Sequence, residues 1–522
     1  MRRLDRRVIG AAAPLLALAA AAQDAPAFRS EEVQRWRKSH EAEIISELAD
    51  FVRLPNVASD KPNIERNAEH LIGLLRRRGI EARLLQEAGA PPAVFGELHS
   101  PKAKHTLVFY AHYDGQPVDS AQWNGSPWTP VLRDKPTELG GKEIPFPAQG
   151  GSPSEEARLY GRSTSDDKAP IIAILSALDA LRASSLEPSV GLKFYFEGEE
   201  EAGSPHLRAF LEHNRDLLKA DGWIFCDGPV HQSRRLQLVY GVRGSLGLEL
   251  TVYGATSTLH SGHYGNWAPN PAVLLSHLIA GMRDEDGRVL IAGFYDGVRA
   301  PSKAERVAIS SVPKVDPELR KSLGLARTEA NNALLSERIF APALNVRGLE
   351  AGHVGAQAAN AIPTEARASI DFRLVPSQTT DQIKAAAERH LRQKGYFLVR
   401  EAPDEATRLS HARIVRVEWK AGYPGIRTAM ELPLSRAVAK VASQTVSGPI
   451  VQLPNMGGSL PLYLLKDVLG APFLILPIVN HDNNQHAANE NLRLKNLWDG
   501  IDVFAALFVR LDSAWSAENG PR

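Results

Sequence analysis

The 522-residue chain has a single cysteine, Cys226, so no disulfide can form within it and its stability must come from a packed core. In the context FCD this cysteine reads as a small core residue. Charge of one sign is also missing: 61 basic residues face 60 acidic ones, which excludes the basic surplus of a nucleic-acid binder. Beyond the N-terminus there is no apolar run long enough to span a bilayer, no internal repeat and no low-complexity tract. RGSLG and GNWAPNP lack the lysine and spacing of a phosphate cradle and read as turns.

What is present is the composition of a globular protein, 43% hydrophobic and 23% charged, with length for two to four domains at roughly 100–200 residues each. The N-terminus has the pattern of a secretory signal peptide: basic MRRLDRRVIG, then the short apolar AAAPLLALAAAA, then small residues. Cleavage near Ala22 would remove four arginines and one aspartate, leaving 57 basic and 59 acidic residues. A periplasmic or secreted location is expected on this basis, by a general or a twin-arginine route, since DRRVIG matches the latter only partly.

Alternating helical and strand-like segments predict an α/β layer fold. Helical spacing runs over about 30–52 and 64–78, and strands are predicted near 81–85, 93–98 and 106–111. The last of these leads into VFYAHYDGQPVD, where His112 and Asp114 stand two apart at the end of a buried-type strand. The C-terminal edge of an open α/β sheet is where such folds bind ligands. The same placement recurs. GRSTSDDKAP puts Asp166 before a helix, where an acidic N-cap is the plain alternative. KFYFEGEEEAGS puts Glu199, Glu200 and Glu201 after a strand, where three adjacent carboxylates need an offsetting charge unless they fan into water. WIFCDGP ends in Asp227, and LILPIVNHDNNQHAANE places His486 beyond a parallel-type strand.

From about residue 241 the texture becomes that of antiparallel strands and helices until about 422. We therefore expect a first unit at 23–240, an inserted unit at 241–422 and a return to the first at 423–522.

His and carboxylate donors without sulfur suit borderline divalent metals of the zinc type. Five such residues are too many for one structural ion and suit two ions sharing a bridging carboxylate. Such a pair polarises a carbonyl and lowers the pKa of a water from 15.7 to about 7, and a spare carboxylate can move the proton.

In this order, HYD, GRSTSDDKAP, EGEEEAGS, IFCD and NQHAANE resemble the successive motifs of the aminoacylase/carnosinase/glutamate-carboxypeptidase family of di-zinc metallopeptidases, with the carnosinase-like dipeptidase branch nearest. The resemblance implies a split catalytic domain with a mainly parallel, helix-flanked sheet (phosphorylase/hydrolase-like) and an inserted α+β lid and dimerisation domain. It implies that Asp166 bridges two metals, with His112 and Asp227 completing one site and Glu201 and His486 the other. Zinc is the expected metal, with cobalt or manganese as substitutes. Glu200 would be the general acid/base and Asp114 the partner that orients His112. His260, in TLHSGHYG, would stabilise the oxyanion in a neighbouring subunit's site of a homodimer. Arg373, in DFRLVP, would hold a substrate carboxylate, and Asn360, Gly457, Gly458 and Ser459 would contact substrate.

Departures from the family pattern are Ser163, Ala169 and Asn266 where glycines are common, asparagines ahead of His486, and an extra His481. None removes a ligand or the base. Three readings follow: an exported dipeptidase or carboxypeptidase, a di-metal amidohydrolase of N-acyl or N-carbamoyl amino acids, and a non-catalytic peptide-binding homologue. Retention of Glu200 and all five ligands speaks against the last.

Overall fold

The structure is a computed structural model and describes residues 30–518; the expected signal peptide, residues 1–22, lies outside them. Among the described residues no helix is long and apolar enough to cross a membrane.

The strand Thr106–His112 organises the first layer. Its apolar run follows from burial on both faces. Leu107, Phe109 and Ala111 face one core, with Phe109 edge-on to Phe508 at 5.1 Å. Val108 and Tyr110 face the other, where Tyr110 stacks on Phe225 at 4.2 Å. Truncating a buried Phe such as Phe109 to Ala costs about 3–5 kcal/mol. The first core is closed by the 25-residue helix Leu494–Glu518 and by Lys168–Ala183, whose IIAILSALDAL segment is buried almost throughout.

Eight strands form this sheet. Across it lie Glu81–Leu85, Ala93–Leu98, Gly191–Glu197, Thr106–His112, Gly222–Phe225, Phe473–Ile475, Gln237–Val239 and Val451–Leu453. The Thr106–His112 strand runs parallel to both neighbours, and Phe473–Ile475 is parallel to Gly222–Phe225. These parallel pairings align the C-terminal ends that lead to His112, Glu200 and Asp227. Phe473–Ile475 touches Gln237–Val239 in antiparallel fashion, so the sheet is mixed but mainly parallel.

The second layer is a five-stranded sheet centred on Gly244–Tyr253, flanked by Glu365–Leu374 and Ile414–Tyr423 in antiparallel pairing. Helices Pro271–Met282 and Thr380–Gln393 cover one face. Leu275, Leu278, Ile383 and Leu391 meet Leu246, Leu248, Ile370 and Phe372 in a core built only from residues 246–417. The chain passes between the layers side by side, because Gly241–Val242 pairs with Ile426–Arg427.

Two features differ from the expected elements. Residues 30–52 form two helices, Ser30–Ser39 and Glu41–Val52. Ser39 Oγ donates to the Trp36 carbonyl and the His40 ring stacks on Trp36, so local side chains take over the groups that would continue the helix. Asp166 and His486 are not at ends of the large sheet. The strand Arg158–Tyr160 pairs with Asn491–Arg493 and Val131–Arg133 in a small antiparallel sheet. That sheet brings the Asp166 and His486 turns together.

Candidate active site

Three ends of the large sheet and two turns of the small one converge. His112 is fully buried at the end of its strand, and its Nε2 lies 3.1 Å from Asp166 Oδ1. The other oxygen of the same carboxylate, Oδ2, lies 3.1 Å from His486 Nε2. His486 Nε2 is also 3.3 Å from Glu201 Oε2, and Glu200 Oε2 is 3.9 Å from His112 Nε2. Asp227 and Asp167 place carboxylate oxygens within 4.8 Å of a His112 ring nitrogen, and Glu201 and Asp166 do the same. Thus the six expected residues His112, Asp166, Glu200, Glu201, Asp227 and His486 form one cluster, with one oxygen of Asp166 toward each histidine.

Asp114 fixes this arrangement from behind. Its Oδ1 lies 3.3 Å from His112 Nδ1, and its two oxygens accept the Glu200 and Glu201 N–H groups, each at 3.0 Å. One carboxylate therefore sets both the histidine ring and the glutamate turn. Glu199 turns away and accepts from the His206 N–H at 2.9 Å, which relieves the three-glutamate crowding. Gln116 Nε2 donates to Glu201 Oε2 at 2.8 Å.

The electrostatics ask for positive charge. Burial pushes Asp227 up to about 6 and Glu201 up to about 7, with Asp166 adding to both. Glu200 is held well above the usual carboxylate range by burial and by Asp227 and Glu201. Burial opposes charging of His112, but its bonds to Asp114 and Asp166 hold it well above an ordinary histidine. Asp167 Oδ1 is buried with no hydrogen-bond partner, and Asp166 Oδ2 has only the His486 ring nitrogen beside it, without hydrogen-bond geometry. Orphaned buried oxygens beside clustered carboxylates and two imidazoles, with no sulfur, are the donor set of divalent cations. The triads whose ligand atoms come close enough to hold an ion are His112, Asp166 and Glu201, and His112, Asp167 and Asp227, with His486 beside Asp166 and Glu201. The His486 side chain is 53% exposed, so the cluster opens to solvent on that side.

Sequence reading missed Glu490. This fully buried carboxylate accepts from the Ser163, Ser165 and Asp166 N–H groups at 2.9–3.0 Å, from Ser165 Oγ, and from Arg162 Nη1 at 2.9 Å. It locks the turn that carries Asp166 to the segment that carries His486. Its place in NQHAANE was visible, but its donors lie more than 300 residues away.

The substrate-side residues fall into two groups. Arg373 donates from Nη1 to Ser459 Oγ at 2.8 Å and from Nε to Asp371 at 2.8 Å. Arg243, also missed, donates to the Gly457 carbonyl from Nε and Nη2, and its backbone N–H donates to Gly458 O at 3.2 Å. Burial and the nearby Arg373 lower the Arg243 pKa to about 10. Burial raises the Tyr423 pKa, with Arg373 opposing and Glu200 adding to the shift. His260 and Asn360 sit on adjoining segments, because Ser261 N donates to Asn360 O and strand Leu259–His260 pairs with Ala361–Ile362. Both side chains are exposed, and the His260 contacts are local, to the Gly262 N–H and the His263 ring.

With this geometry in place, comparison with known proteins gives one family. The profile described as Peptidase family M20/M25/M40 matches residues 108–510. The chain is 24% identical to the Cys-Gly metallodipeptidase dug1 of Schizosaccharomyces pombe over 489 residues, covering 90% of this chain and 96% of that one. It is 25% identical to the Beta-Ala-His dipeptidase of Homo sapiens over 511 residues, covering 92% of each. Among solved structures it resembles the M20 family metallo-carboxypeptidase Sso-CP2 from Sulfolobus solfataricus, with a TM-score of 0.72, 28% identity, and coverage of 90% of this chain and 99% of that one. The relatives match the carnosinase-like branch that the motifs resemble. By motif order, fold and matched length, the chain belongs to Peptidase family M20/M25/M40 and is a metal-dependent hydrolase of peptide bonds.

Proposed function

We propose that the protein is an exported di-zinc dipeptidase in which Glu200 is the general acid/base. The observation that carries this reading is the Asp166 carboxylate set between two histidines, one to each oxygen, with Glu200 3.9 Å from His112. When bound, two divalent cations at His112/Asp166/Asp227 and Asp166/Glu201/His486 would polarise the scissile carbonyl and acidify the attacking water. Glu200 takes that water's proton and delivers it to the leaving amine. Asp114 keeps the His112 ring and the Glu200 turn in register.

Arg373, supported by Ser459 and by the Arg243-held Gly457–Gly458 segment, would take the substrate's C-terminal carboxylate as a bidentate partner. The 241–422 unit acts as lid and dimerisation domain in this reading. Its edge strand Ala343–Glu350 leaves one side unpaired, with Val346 and Leu349 exposed and Trp267 and Val354 exposed on the same unit. These surfaces support association with a second copy. In a homodimer the exposed His260 and Asn360 would be free to meet the neighbouring chain's site. The N-terminal pattern of residues 1–22 supports export to the periplasm or beyond.

Dipeptides are favoured over N-acyl or N-carbamoyl amino acids because the relatives named above are dipeptidases. The test is hydrolysis of a dipeptide panel and of N-acyl amino acids after loading with zinc, cobalt or manganese, with chelator controls. Dipeptide cleavage that is lost to chelator and restored by zinc is expected. Faster turnover of N-acyl amino acids would overturn the substrate assignment. In the same assay Arg373→Ala should lower kcat/KM for free-carboxylate dipeptides by roughly 10–200-fold, the worth of about 1.5–3 kcal/mol for a charged hydrogen bond. C-terminally amidated substrates should change little, and equal loss on both would remove the clamp.

A further inference from the structure

The connection between helix Glu41–Val52 and the next helix, Lys61–Arg77, supplies nothing to the mechanism above, yet it reaches the turns that carry His112 and Asp166. Asn56, fully buried in this connection, is the point of contact. Its Nδ2 donates to the Tyr113 carbonyl at 2.6 Å and to Ser163 Oγ at 3.0 Å, and its own carbonyl accepts from the Gly115 N–H at 2.9 Å. The Tyr113 carbonyl can only accept, so the amide nitrogen is the atom that must face it. Tyr113 follows His112 directly, and Ser163 stands three residues before Asp166. One side chain therefore ties the His112 turn to the Asp166 turn. Lys168 holds the second turn to the same connection. Its buried Nζ donates to the Phe51 and Leu54 carbonyls at 2.8 and 3.0 Å and to Asn67 Oδ1 at 2.8 Å, while its N–H donates to the Ser163 carbonyl at 3.1 Å. Phe51 is in the last turn of helix Glu41–Val52, where a positive charge is favoured.

Ser163 sits in this tie at a cost. Its φ is +60°, in the left-handed region that favours glycine, and glycine is the residue common there in the family pattern. The hydroxyl is also closely fitted, because a β-carbon on Gly115 would overlap Ser163 Oγ. A side chain kept against its own backbone preference, and used as an acceptor by a buried amide, points to a task for that hydroxyl. We propose that Asn56 and Ser163 are positioning residues that set the separation of His112 and Asp166, by tying their two turns together from the N-terminal connection. The inference rests on the reading of His112 and Asp166 as ligands of one metal centre. Both residues act through the turns: Asn56 fixes the backbone on either side of Asp114, and Ser163 carries that fix to the segment that Glu490 holds from the opposite end of the chain. The 3.1 Å approach of His112 Nε2 to Asp166 Oδ1 is thereby set from outside the cluster.

The test reads zinc affinity, the visible absorption of the cobalt-loaded enzyme, which reports ligand geometry, and the thermal midpoint. Asn56→Ala should lower zinc affinity by about tenfold, the lower end of the usual loss for supports of metal ligands, and should shift the cobalt band at full occupancy. Ser163→Ala and Ser163→Gly both remove the acceptor. Each should lower zinc affinity by about 2–10-fold, the worth of one neutral hydrogen bond, and shift the same band. Only Ser163→Gly relieves the backbone, so its thermal midpoint should exceed that of Ser163→Ala. Asn56→Ala combined with Ser163→Gly should lose less zinc affinity than the two single losses multiplied together, because the two groups share one contact. Wild-type zinc affinity and cobalt band in both Ser163 variants would overturn the tie. So would losses that follow the thermal midpoint and appear in Ser163→Ala alone. The Ser163 pair decides the matter if Asn56→Ala fails to fold. Failure of the wild-type enzyme to bind cobalt would overturn the metal-centre reading beneath it, a separate result from a cobalt band that no variant moves.

Discussion

The two layers hold their functional residues by opposite means. In the first layer every metal-site residue except His486 is largely buried and cross-braced: Asp114 accepts two N–H groups and Glu490 accepts three. In the inserted layer Arg373 is 30% exposed and held by Asp371 and Ser459, while His260 and Asn360 stand exposed at a two-residue strand. The first layer buries clustered carboxylates, a cost that a bound cation would offset, and its backbone hydrogen bonds set the turns that carry them. The inserted layer leaves its groups exposed, as the proposed roles at a substrate or a second chain would require.

The sharpest way to break this contrast is to change the chemistry of the buried half alone. Glu200→Gln keeps the shape and removes the proton carrier. Turnover should fall by at least about 10²–10⁴-fold, the usual worth of general acid/base catalysis, with metal content unchanged. Full activity of this variant would sink the assignment. The corresponding change in the exposed half is His260→Ala. Loss of an oxyanion donor worth about 2.7–4 kcal/mol should lower kcat by roughly 10²–10³-fold while metal binding persists. If His260 serves the neighbouring site, a 1:1 mixture of Glu200→Gln and His260→Ala chains recovers roughly a quarter of wild-type activity, because half the dimers carry one intact site. A strictly monomeric active enzyme would refute that arrangement.

Glu490 probes the bracing itself. Glu490→Gln replaces an acceptor of five donors with an amide that can satisfy fewer of them and loses the Arg162 ion pair. Metal affinity should fall about 10–100-fold, as for other supports of metal ligands. Excess zinc should restore kcat. A kcat loss that zinc cannot rescue would mean that Glu490 acts on more than the metal site.

The difference between the layers also decided what could be read from the sequence. His112, Asp227 and the glutamate pair follow apolar strands and precede turns, a pattern local enough to see in a few residues. Asp166 and His486 were visible as motif members, but the small antiparallel sheet that joins them depends on pairing residues 158–160 with 491–493, which no local pattern encodes. Glu490 and Arg243 escaped for the same reason. Their chemistry lies in backbone groups supplied by distant segments, and a carboxylate or guanidinium in a polar loop looks like any solvated charge.

The smallest effect expected on chemistry, and a separate one on stability, lies where the layers join. Glu305, beside the start of helix Lys303–Ser311, accepts from Arg299 at 2.6 Å, from the Ser302 N–H at 2.6 Å and from Arg427 at 2.9 Å. Arg427 belongs to the strand that returns the chain to the first layer, and its guanidinium lies over Phe340 at 4.2 Å. Burial opposes the Glu305 charge, but Arg299, Ser302 and Arg427 together lower its pKa from 4.5 to about 2. A carboxylate depressed in the folded state adds stability above its unfolded pKa and loses it as pH falls through the folded value. This contribution is therefore complete above about pH 5 and fades between about 4.5 and 2. Glu305→Gln leaves the buried Arg427 without its partner, a loss of about 3–5 kcal/mol for a buried pair. The variant should show a lowered thermal midpoint at pH 7, and the gap to wild type should close on acidification through that window. Its zinc content should match wild type, because no residue of this join touches the cluster ligands. An equal midpoint at pH 7 would show that the layers are held by their apolar contacts alone, and that the ion pair sets only the register of the returning strand.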